Sequence, residues 1–200
     1  GRLQEAKEAL SRNTEVVEEK PAEPHGTLGA PEMIETAVPA EKLTTLNQAL
    51  HTLPEGFALN DKLKRLLERR ATLEPESTIE WAHAELLALA SILADGTPIR
   101  LTGQDTARGT FSQRHLVLHD QKTGQTYTPL QALPAAPASF AVYDSPLTEN
   151  ATLGFEYGYS VQASDALVLW EAQYGDFINV AQVMVDQFVA SGHAKWEQHP

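Results

Sequence analysis

The sequence contains no cysteine among its 200 residues. This absence excludes disulfide bonds, thiolate metal sites and cysteine nucleophiles, and it is compatible with a reducing, cytoplasmic location. The sequence also lacks an apolar run long enough to cross a bilayer, and its first residues lack the basic-then-apolar order of a signal peptide. We therefore expect a soluble protein with no membrane partner.

Positive charge is scarce in this chain. There are 15 lysines and arginines against 27 aspartates and glutamates, and the formal net charge is -12 at pH 7. Such a chain repels phosphate backbones, so we expect no nucleic-acid partner. The one strongly basic run is residues 62–70 (KLKRLLERR), with all five of its cations expected on an exposed helix face. We interpret this run as a solvated surface, although a binding patch would have the same composition.

The common catalytic motifs are also missing. Residues 154–158 (GFEYG) carry a glutamate where a nucleophile elbow needs a serine, and there is no dinucleotide-binding glycine motif or P-loop. His115 and His119 have the spacing of a zinc motif but lack its glutamate. On a strand, residues four apart lie about 13 Å from each other, which is too far to share one ion. We therefore predict no metal ligands in this chain.

The sequence pattern of residues 1–76 predicts a tail followed by helices. Residues 3–11 could form a short helix, but residues 13–39 are rich in glutamate, proline, threonine and glycine, so we assign 1–40 to a tail or flexible linker. Leucines at helical spacing predict a helical hairpin linker over 41–76, with Asn60 as a candidate cap for its second helix. These leucines are Leu43, Leu46, Leu50, Leu53, Leu59, Leu63, Leu66 and Leu67.

A third, more apolar helix is predicted over residues 79–94. Ser77 and Glu80 have the spacing of a capping box before it, and Asp95 with Gly96 ends it. Five of its apolar residues are expected to face a core: Trp81, Leu86, Leu89, Ala90 and Leu93.

From residue 98 onward, strand and helix patterns alternate. Strands are predicted at 98–102, 140–143 and 166–170, with a hairpin formed by 114–119 and 125–130. Helices are predicted from Glu149 and over 177–191. This order is typical of an α/β fold, here a partial doubly wound parallel sheet over 77–200 that we expect to be incomplete at its C-terminal end. The last helix is so apolar that we expect it to be buried, in the domain or against a partner subunit.

Four separated runs resemble one enzyme family. Together they resemble the thiamine-diphosphate-dependent decarboxylating component of the 2-oxoglutarate dehydrogenase complex, from about residue 53 to 196, and imply its transketolase-like pyrimidine-binding domain. Val180, where the family has glycine, and the last four residues depart from the pattern. The runs are 102–130 (TGQDTARGTFSQRHLVLHDQKTGQTYTPL), 143–149 (YDSPLTE), 155–160 (FEYGYS) and 170–177 (WEAQYGDF).

The resemblance implies an activity and its partners. The family decarboxylates 2-oxoglutarate, a small 2-oxo acid, with thiamine diphosphate and passes the succinyl group to a lipoyl arm of dihydrolipoyl succinyltransferase. It works as a homodimer, and it uses magnesium whose ligands we expect outside this chain segment. Two alternatives stay open at this point: a related acid such as 2-oxoadipate as substrate, or a non-catalytic assembly or regulatory module.

The resemblance also assigns site residues. Taken alone, Glu149 in the first turn of a helix is explained by the helix dipole. The resemblance implies that it is the catalytic glutamate that meets a ring nitrogen of the cofactor's aminopyrimidine. Phe177, and less directly Tyr174, match the aromatic turn that stacks on that ring, whereas core packing would also explain them.

The loop after the first strand, residues 104–115, holds the candidate substrate residues. Arg108, Arg114 and His115 could meet an anionic 2-oxo acid. Pairing of an arginine with a nearby carboxylate such as Asp105 would account for the same residues without a substrate role.

Overall fold

The computed structural model describes residue 4 and residues 35–73, 78–134 and 136–198. The chain separates into two compact units, Gly1–Ala37 and Val38–Pro200. In the first unit, Gln4 is helical and the backbone N–H of Ala37 donates to Oε1 of Glu35 at 3.1 Å. The rest of the predicted helix at 3–11 and most of the predicted tail lie outside the described residues.

Three helices precede the sheet in the second unit: α1 (Ala40–Leu50), α2 (Asp61–Arg70) and α3 (Trp81–Ala94). The predicted cap of α2 is confirmed, because Oδ1 of Asn60 accepts from the backbone N–H of Lys62 at 2.9 Å. α1 packs against α3, and Leu46 and Leu50 join the same core as the α3 leucines. The division of the chain at residue 76 stays a prediction. Within the described ranges, no helix has the length and apolar character to cross a membrane.

The N-terminal end of α3 differs from the prediction. Trp81 is 92% exposed, so its predicted place in the core is wrong. At about 100° per residue, Trp81 lies about 110° around the helix from the centre of the Leu86, Leu89 and Leu93 stripe, which is buried as predicted. Glu80 makes no capping bond with its side chain, and Ser77, its predicted partner, lies outside the described residues.

Glu80 instead pairs with the last residue of α2. Its Oε1 accepts from Nε of Arg70 at 2.6 Å, and Nη2 of Arg70 also donates to the carbonyl of Gln113 at 3.0 Å. Arg70 is only 5% exposed, so its predicted place on the exposed basic face is wrong. A buried guanidinium needs such partners, because desolvation without them would be costly.

Asn47 forms a buried polar link between the three helices. Its Nδ2 donates to the carbonyls of Arg70 and Ala71 at 2.8 and 3.0 Å, and its Oδ1 accepts from Nε2 of His83 at 2.8 Å. Its own carbonyl accepts from Nδ1 of His51 at 2.7 Å. Burial lowers the pKa of His83 to about 4, helped by the nearby His51 and the charge of Arg70. The folded protein therefore keeps His83 neutral.

The α/β fold class is confirmed. A parallel sheet has the order β4-β1-β5, and a separate antiparallel hairpin pairs β2 with β3. Gly103, the last residue of β1, pairs with Asp144 at the end of β4 and with Glu171 at the end of β5. All three carboxyl ends therefore lie at one edge. The strands are β1 (Ile99–Gly103), β2 (Leu118–His119), β3 (Thr126–Tyr127), β4 (Phe140–Asp144) and β5 (Leu167–Glu171).

The two faces of the sheet differ in character. Ile99 and Leu101 of β1 are buried in the leucine core formed with α1 and α3. Arg100, between them, points to the opposite face, as strand alternation requires. There it pairs with the buried Glu156 of α4 (Glu149–Gln162), through Nε to Oε2 at 2.7 Å and Nη2 to Oε1 at 2.9 Å. The sheet thus lies between an apolar helical layer and α4.

The hairpin is shorter than predicted, because a 3-10 helix (Pro129–Ala132) follows β3 directly. Its turn is organised by Asp120, whose carboxylate accepts from the backbone N–H groups of Ala58, Thr123 and Lys122, each at 2.8 Å. These hydrogen bonds stabilise the charged form and lower the pKa of Asp120 to about 2.

The segment after β5 is not the single helix predicted over 177–191. Of its apolar residues, Val180, Val183 and Val189 are exposed, whereas Ala181 is buried. The segment packs along α4. Burial within the domain is therefore wrong, and burial against a partner stays a prediction. The observed elements are a 3-10 helix (Gly175–Ala181), α5 (Gln182–Met184), a π-helix (Val185–Val189) and α6 (Gly192–Trp196).

The depressed pKa of His83 predicts a pH-dependent stability. The unfolded chain binds a proton near the ordinary value of 6.5 and the folded chain only near about 4, so the free energy of unfolding should fall as the pH drops through this window. At about 1.4 kcal/mol per pKa unit, this shift corresponds to a contribution of roughly 3 kcal/mol. Urea unfolding of this chain and of His83→Gln, which can still donate to Asn47, should show a flatter pH profile for the variant. Identical profiles would contradict this prediction.

Candidate functional site

The candidate site lies at the carboxyl edge of the parallel sheet. In parallel α/β sheets, ligands bind at this edge, where loops from neighbouring strands leave a crevice. A small crevice opens there between the end of β1, the start of α4 and the end of β5. It is lined by Gly103, Gln104, Leu147, Glu149, Thr152, Trp170, Glu171, Ala172 and Gln173.

Glu149 is the first residue of α4 and is half-buried in this crevice. The turn before it is held in place by Ser145, whose backbone N–H donates to the carbonyl of Gly103 at 2.8 Å. The Ser145 hydroxyl lies 3.2 Å from Oγ1 of Thr152 and also accepts from the backbone N–H of Leu147 at 3.2 Å. The turn therefore directs the carboxylate of Glu149 toward the sheet edge, as the strand and helix pattern predicts.

Gly103 allows β1 and β5 to approach each other closely at the same edge. A Cβ atom at this position would lie 2.4 Å from the backbone carbonyl oxygen of Glu171. Because that atom belongs to the backbone, it cannot rotate away as a side chain would. Glycine is thus required where the crevice begins.

The aromatic turn follows directly after the crevice. Tyr174 and Phe177 come after Ala172 and Gln173, and their rings meet edge to face at 5.8 Å with an interplanar angle of 84°. Tyr174 is half-exposed, and its carbonyl accepts from the backbone N–H of Phe177 at 3.0 Å. α4 packs against the 3-10 helix that carries Phe177, so these rings and Glu149 belong to one corner of the domain. The rings do not themselves line the crevice.

Arg108 is engaged within its own loop. Its Nη2 pairs with Oδ2 of Asp105 at 2.9 Å, and its Nη1 donates to the carbonyl of Thr110 at 3.2 Å and to Oγ of Ser112 at 3.0 Å. The side chain is partly exposed. Pairing with Asp105, one of the two explanations offered from the sequence, is therefore present for Arg108.

Arg114 is buried between two carboxylates. It donates to Glu85 of α3 through Nε and Nη2, at 2.7 and 2.9 Å, and its Nη1 pairs with Glu171 and donates to the carbonyl of Thr106 at 2.9 Å. Burial alone would lower the pKa of Arg114, but the hydrogen bonds and charges of Glu85 and Glu171 outweigh it and raise the pKa overall. The guanidinium joins α3, the loop and the end of β5.

His115 is not among the residues that line the crevice at Glu149. It is half-buried, and burial lowers its pKa, as do the charges of Arg70 and Arg108, while a hydrogen bond to the Ser112 backbone opposes the shift. The structure therefore does not bring His115 to the side chains around Glu149. It faces a groove beside α2 that is also lined by Asn60, Lys62, Leu63, Arg65, Leu66, Arg69 and Ser112.

Residues 77–199 match the family described as transketolase, pyrimidine binding domain. This match covers more than half of the chain. The chain belongs to the transketolase pyrimidine-binding domain family. Membership agrees with the parallel sheet and with the edge at which Glu149 lies.

Curated relatives of this transketolase-type domain carry one common description. The 2-oxoglutarate dehydrogenase E1 component of Geobacillus kaustophilus (strain HTA426) is 58% identical over 166 residues, which are 82% of this chain and 18% of the relative. The proteins of that name from Shouchella clausii (strain KSM-K16) and Bacillus mycoides (strain KBAB4) are each 57% identical over 166 residues, or 82% of this chain and 18% and 17% of the relatives. The resemblance read from the four sequence runs is thereby confirmed, and the chain spans less than a fifth of these relatives.

Sequence reasoning missed three residues of this transketolase-type site. Glu85 and Glu171 are the partners of Arg114, and Phe111 packs edge to face on Tyr174 at 5.9 Å. Phe111 and Glu171 stand within the runs that carry the family resemblance, and this was the available signal for them. Glu85 is the one carboxylate of the largely apolar helix α3, where such a group suggests a charged partner.

Replacing Gly103 with alanine should destabilise this chain. The new Cβ would meet the carbonyl oxygen of Glu171 at 2.4 Å, and such overpacking costs about 1 to 3 kcal/mol. Gly158→Ala is the matched control, because no atom lies within 4 Å of its added Cβ and alanine favours the α4 helix by up to about 1 kcal/mol. Thermal unfolding should move the two melting temperatures in opposite directions. A Gly103→Ala chain at least as stable as the parent would contradict the close approach.

Proposed function

We propose that this chain is the part of a 2-oxoglutarate dehydrogenase decarboxylating component that holds the aminopyrimidine ring of thiamine diphosphate. The observation that carries the proposal is the place of Glu149, which is half-buried at the first residue of α4 in a crevice at the carboxyl edge of a parallel sheet. The relatives named as 2-oxoglutarate dehydrogenase E1 component support the same reading.

The residues at this edge fit an aminopyrimidine. A carboxyl group that is partly shielded from water can share a proton with a ring nitrogen, and aromatic faces nearby can stack on the ring. Close to Glu149, the buried Oδ1 of Asn150 lacks a hydrogen-bond partner among the described residues. The corner thus offers a proton-sharing carboxyl group, an aromatic turn and an unused polar atom within one part of the fold.

Each residue has a distinct role in this proposal. When bound, thiamine diphosphate supplies a nucleophilic carbon and an electron sink for decarboxylation, and the protein tunes its electronics. Glu149 would share a proton with a ring nitrogen of the bound aminopyrimidine and so tune the basicity of the ring. Phe177 stacks on the ring, and Tyr174 packs beside it. Gly103 keeps β1 and β5 close enough to form the crevice.

The remaining steps need parts of the protein beyond this chain. We propose that 2-oxoglutarate loses CO₂ and that its succinyl group passes to a lipoyl arm of the partner dihydrolipoyl succinyltransferase, in a cytoplasmic homodimer. Magnesium, with ligands on other segments, would hold the diphosphate. In the part of the chain that the structure describes, no group of three or more His, Asp or Glu side chains is arranged to bind a metal ion.

The three candidate substrate residues differ in their support. Arg108 is partly exposed, and His115 faces the groove beside α2, so contact with an anionic substrate stays a proposal for both. Arg114 is 8% exposed and has Glu85 and Glu171 as partners. This pairing favours a structural role for Arg114 over substrate binding.

Replacing Glu149 with glutamine tests the proposed function. In the full-length enzyme, loss of the shared proton should lower kcat by about 10² to 10⁴, while the fold is kept because the two side chains have nearly the same shape. Initial rates of 2-oxoglutarate decarboxylation at saturating cofactor measure this effect.

Glu41→Gln is the matched control for Glu149→Gln. Glu41 also lies in the first turn of a helix, α1, but it is exposed and remote from the sheet edge. If the helix dipole alone explained Glu149, both variants would lose a few tenths of a kcal/mol to about 1 kcal/mol of stability and keep their activity. Near-normal turnover of Glu149→Gln would overturn the assignment.

Phe177→Ala tests the stacking role. Removing a ring that stacks on a heterocycle costs about 1 to 3 kcal/mol in comparable cases, so the dissociation constant for thiamine diphosphate should rise about 5- to 150-fold. Equilibrium dialysis of the full-length enzyme with magnesium present measures this directly. Trp81→Ala removes an exposed ring elsewhere and should leave cofactor affinity unchanged. Equal affinities of Phe177→Ala and the parent would contradict stacking.

A further inference from the structure

The loop between β1 and the hairpin is unusually strained. Four non-glycine residues with positive φ occur among the described residues, and three of them are in this loop: Asp105, Ser112 and His115, with φ of 54°, 53° and 54°. Gly109 is a fourth residue with positive φ in the loop, at 81°. Left-handed backbone is unfavourable for residues with a Cβ atom and persists only where surrounding contacts enforce it. Such strain is typical of segments whose shape serves a function.

Contacts from the sheet edge enforce this shape. The backbone N–H of Ala107 donates to Oδ1 of Asp144 at the end of β4, at 2.9 Å, and Nε2 of Gln173, after β5, donates to Oδ2 of Asp105 at 2.8 Å. Oγ1 of Thr106 donates to Oε2 of Glu171 at 2.8 Å. The loop is therefore tied to the ends of both neighbouring strands.

Arg114 completes the attachment from the other end of the loop. It bridges Glu85 of α3 and Glu171 of β5 and holds the carbonyl of Thr106 at 2.9 Å. Because the guanidinium is buried and forms fork-shaped hydrogen bonds to Glu85, it fixes orientation as well as position. The loop is thus anchored where it leaves β1 and where it returns to the core.

Phe111 lies at the tip of this anchored loop. It is 70% exposed, and its backbone N–H donates to Oε1 of Gln113 at 2.9 Å. Its ring packs edge to face on Tyr174 at 5.9 Å and 89°, and Tyr174 packs in the same way on Phe177 at 5.8 Å and 84°. The three rings form a continuous row from the loop to the turn after β5. Phe111 is therefore a second aromatic neighbour that restricts Tyr174, in addition to Phe177.

We propose that Phe111 is a positioning residue for Phe177 and acts on it through Tyr174. The inference rests on the proposed stacking of Phe177 on the aminopyrimidine. With Phe111 in place, Tyr174 contacts two rings, and Phe177 meets a neighbour whose rotation is restricted. Without Phe111, the half-exposed Tyr174 ring is free to rotate, and Phe177 loses orientational order that must be restored when the cofactor binds.

Phe111→Ala in the full-length enzyme tests this inference. The dissociation constant for thiamine diphosphate, measured by equilibrium dialysis with magnesium, should rise about three- to tenfold, which is the range expected for one lost aromatic pair. The KM for the cofactor should rise in parallel, with the loss appearing in KM rather than in kcat. A variant that only destabilised the fold would instead lower kcat by reducing the active fraction. That result, or an unchanged dissociation constant, would overturn the inference.

Combining Phe111→Ala with Tyr174→Ala tests whether Phe111 acts on cofactor binding through Tyr174. If Phe111 acts through Tyr174, then Phe111→Ala should weaken cofactor binding in the parent enzyme and have no further effect once Tyr174 is alanine. An equal loss in both backgrounds would show that Phe111 reaches the cofactor by another route, and the inference would fail. Trp81→Ala, which removes an exposed ring outside the row, should change affinity in neither background.

The Phe177→Ala result separates this inference from the proposed function. If Phe177→Ala and Glu149→Gln both leave the enzyme unchanged, the proposed function fails. If Phe177→Ala weakens cofactor binding and Phe111→Ala does not, only the positioning role of Phe111 fails.

Discussion

The site depends on the ion pairs of the buried Arg114. One guanidinium connects α3 through Glu85, the strained loop through Thr106 and the end of β5 through Glu171. Leaving the buried guanidinium unpaired in this place would cost several kcal/mol, so the three segments are fixed relative to one another. The residue that sequence reasoning offered as a substrate ligand is therefore better explained as the group that holds the edge of the sheet together.

The parallel register of the sheet supplies the second constraint. Gly103, Asp144 and Glu171 are paired across the three strands. The segments that follow these residues therefore begin side by side at the carboxyl edge of the sheet. The segment after β4 leads to Glu149, and the segment after β5 leads to Tyr174 and Phe177. A carboxylate and an aromatic turn that are distant in sequence thus reach one corner. This convergence, rather than any single motif, makes cofactor binding chemically reasonable.

The exposed apolar residues after β5 indicate a surface for protein–protein contact. Val180, Val183 and Val189 are exposed on a segment of short 3-10, α and π turns that packs along α4. Exposed apolar surface of this kind is characteristic of protein–protein contacts. It accords with the proposed homodimer.

Local patterns in the sequence determined the elements and their order. Leucine spacing, alternating strands and the position of Glu149 before a helix are set by residues close in the chain, because burial periodicity is a local property. Tertiary structure alone decided the exposure of Trp81, the burial of Arg70, the broken segment after β5 and the row from Phe111 to Phe177. Arg114 finds its carboxylates 29 and 57 residues away, and no spacing rule predicts such pairing. Only the packed sheet brings these charges together.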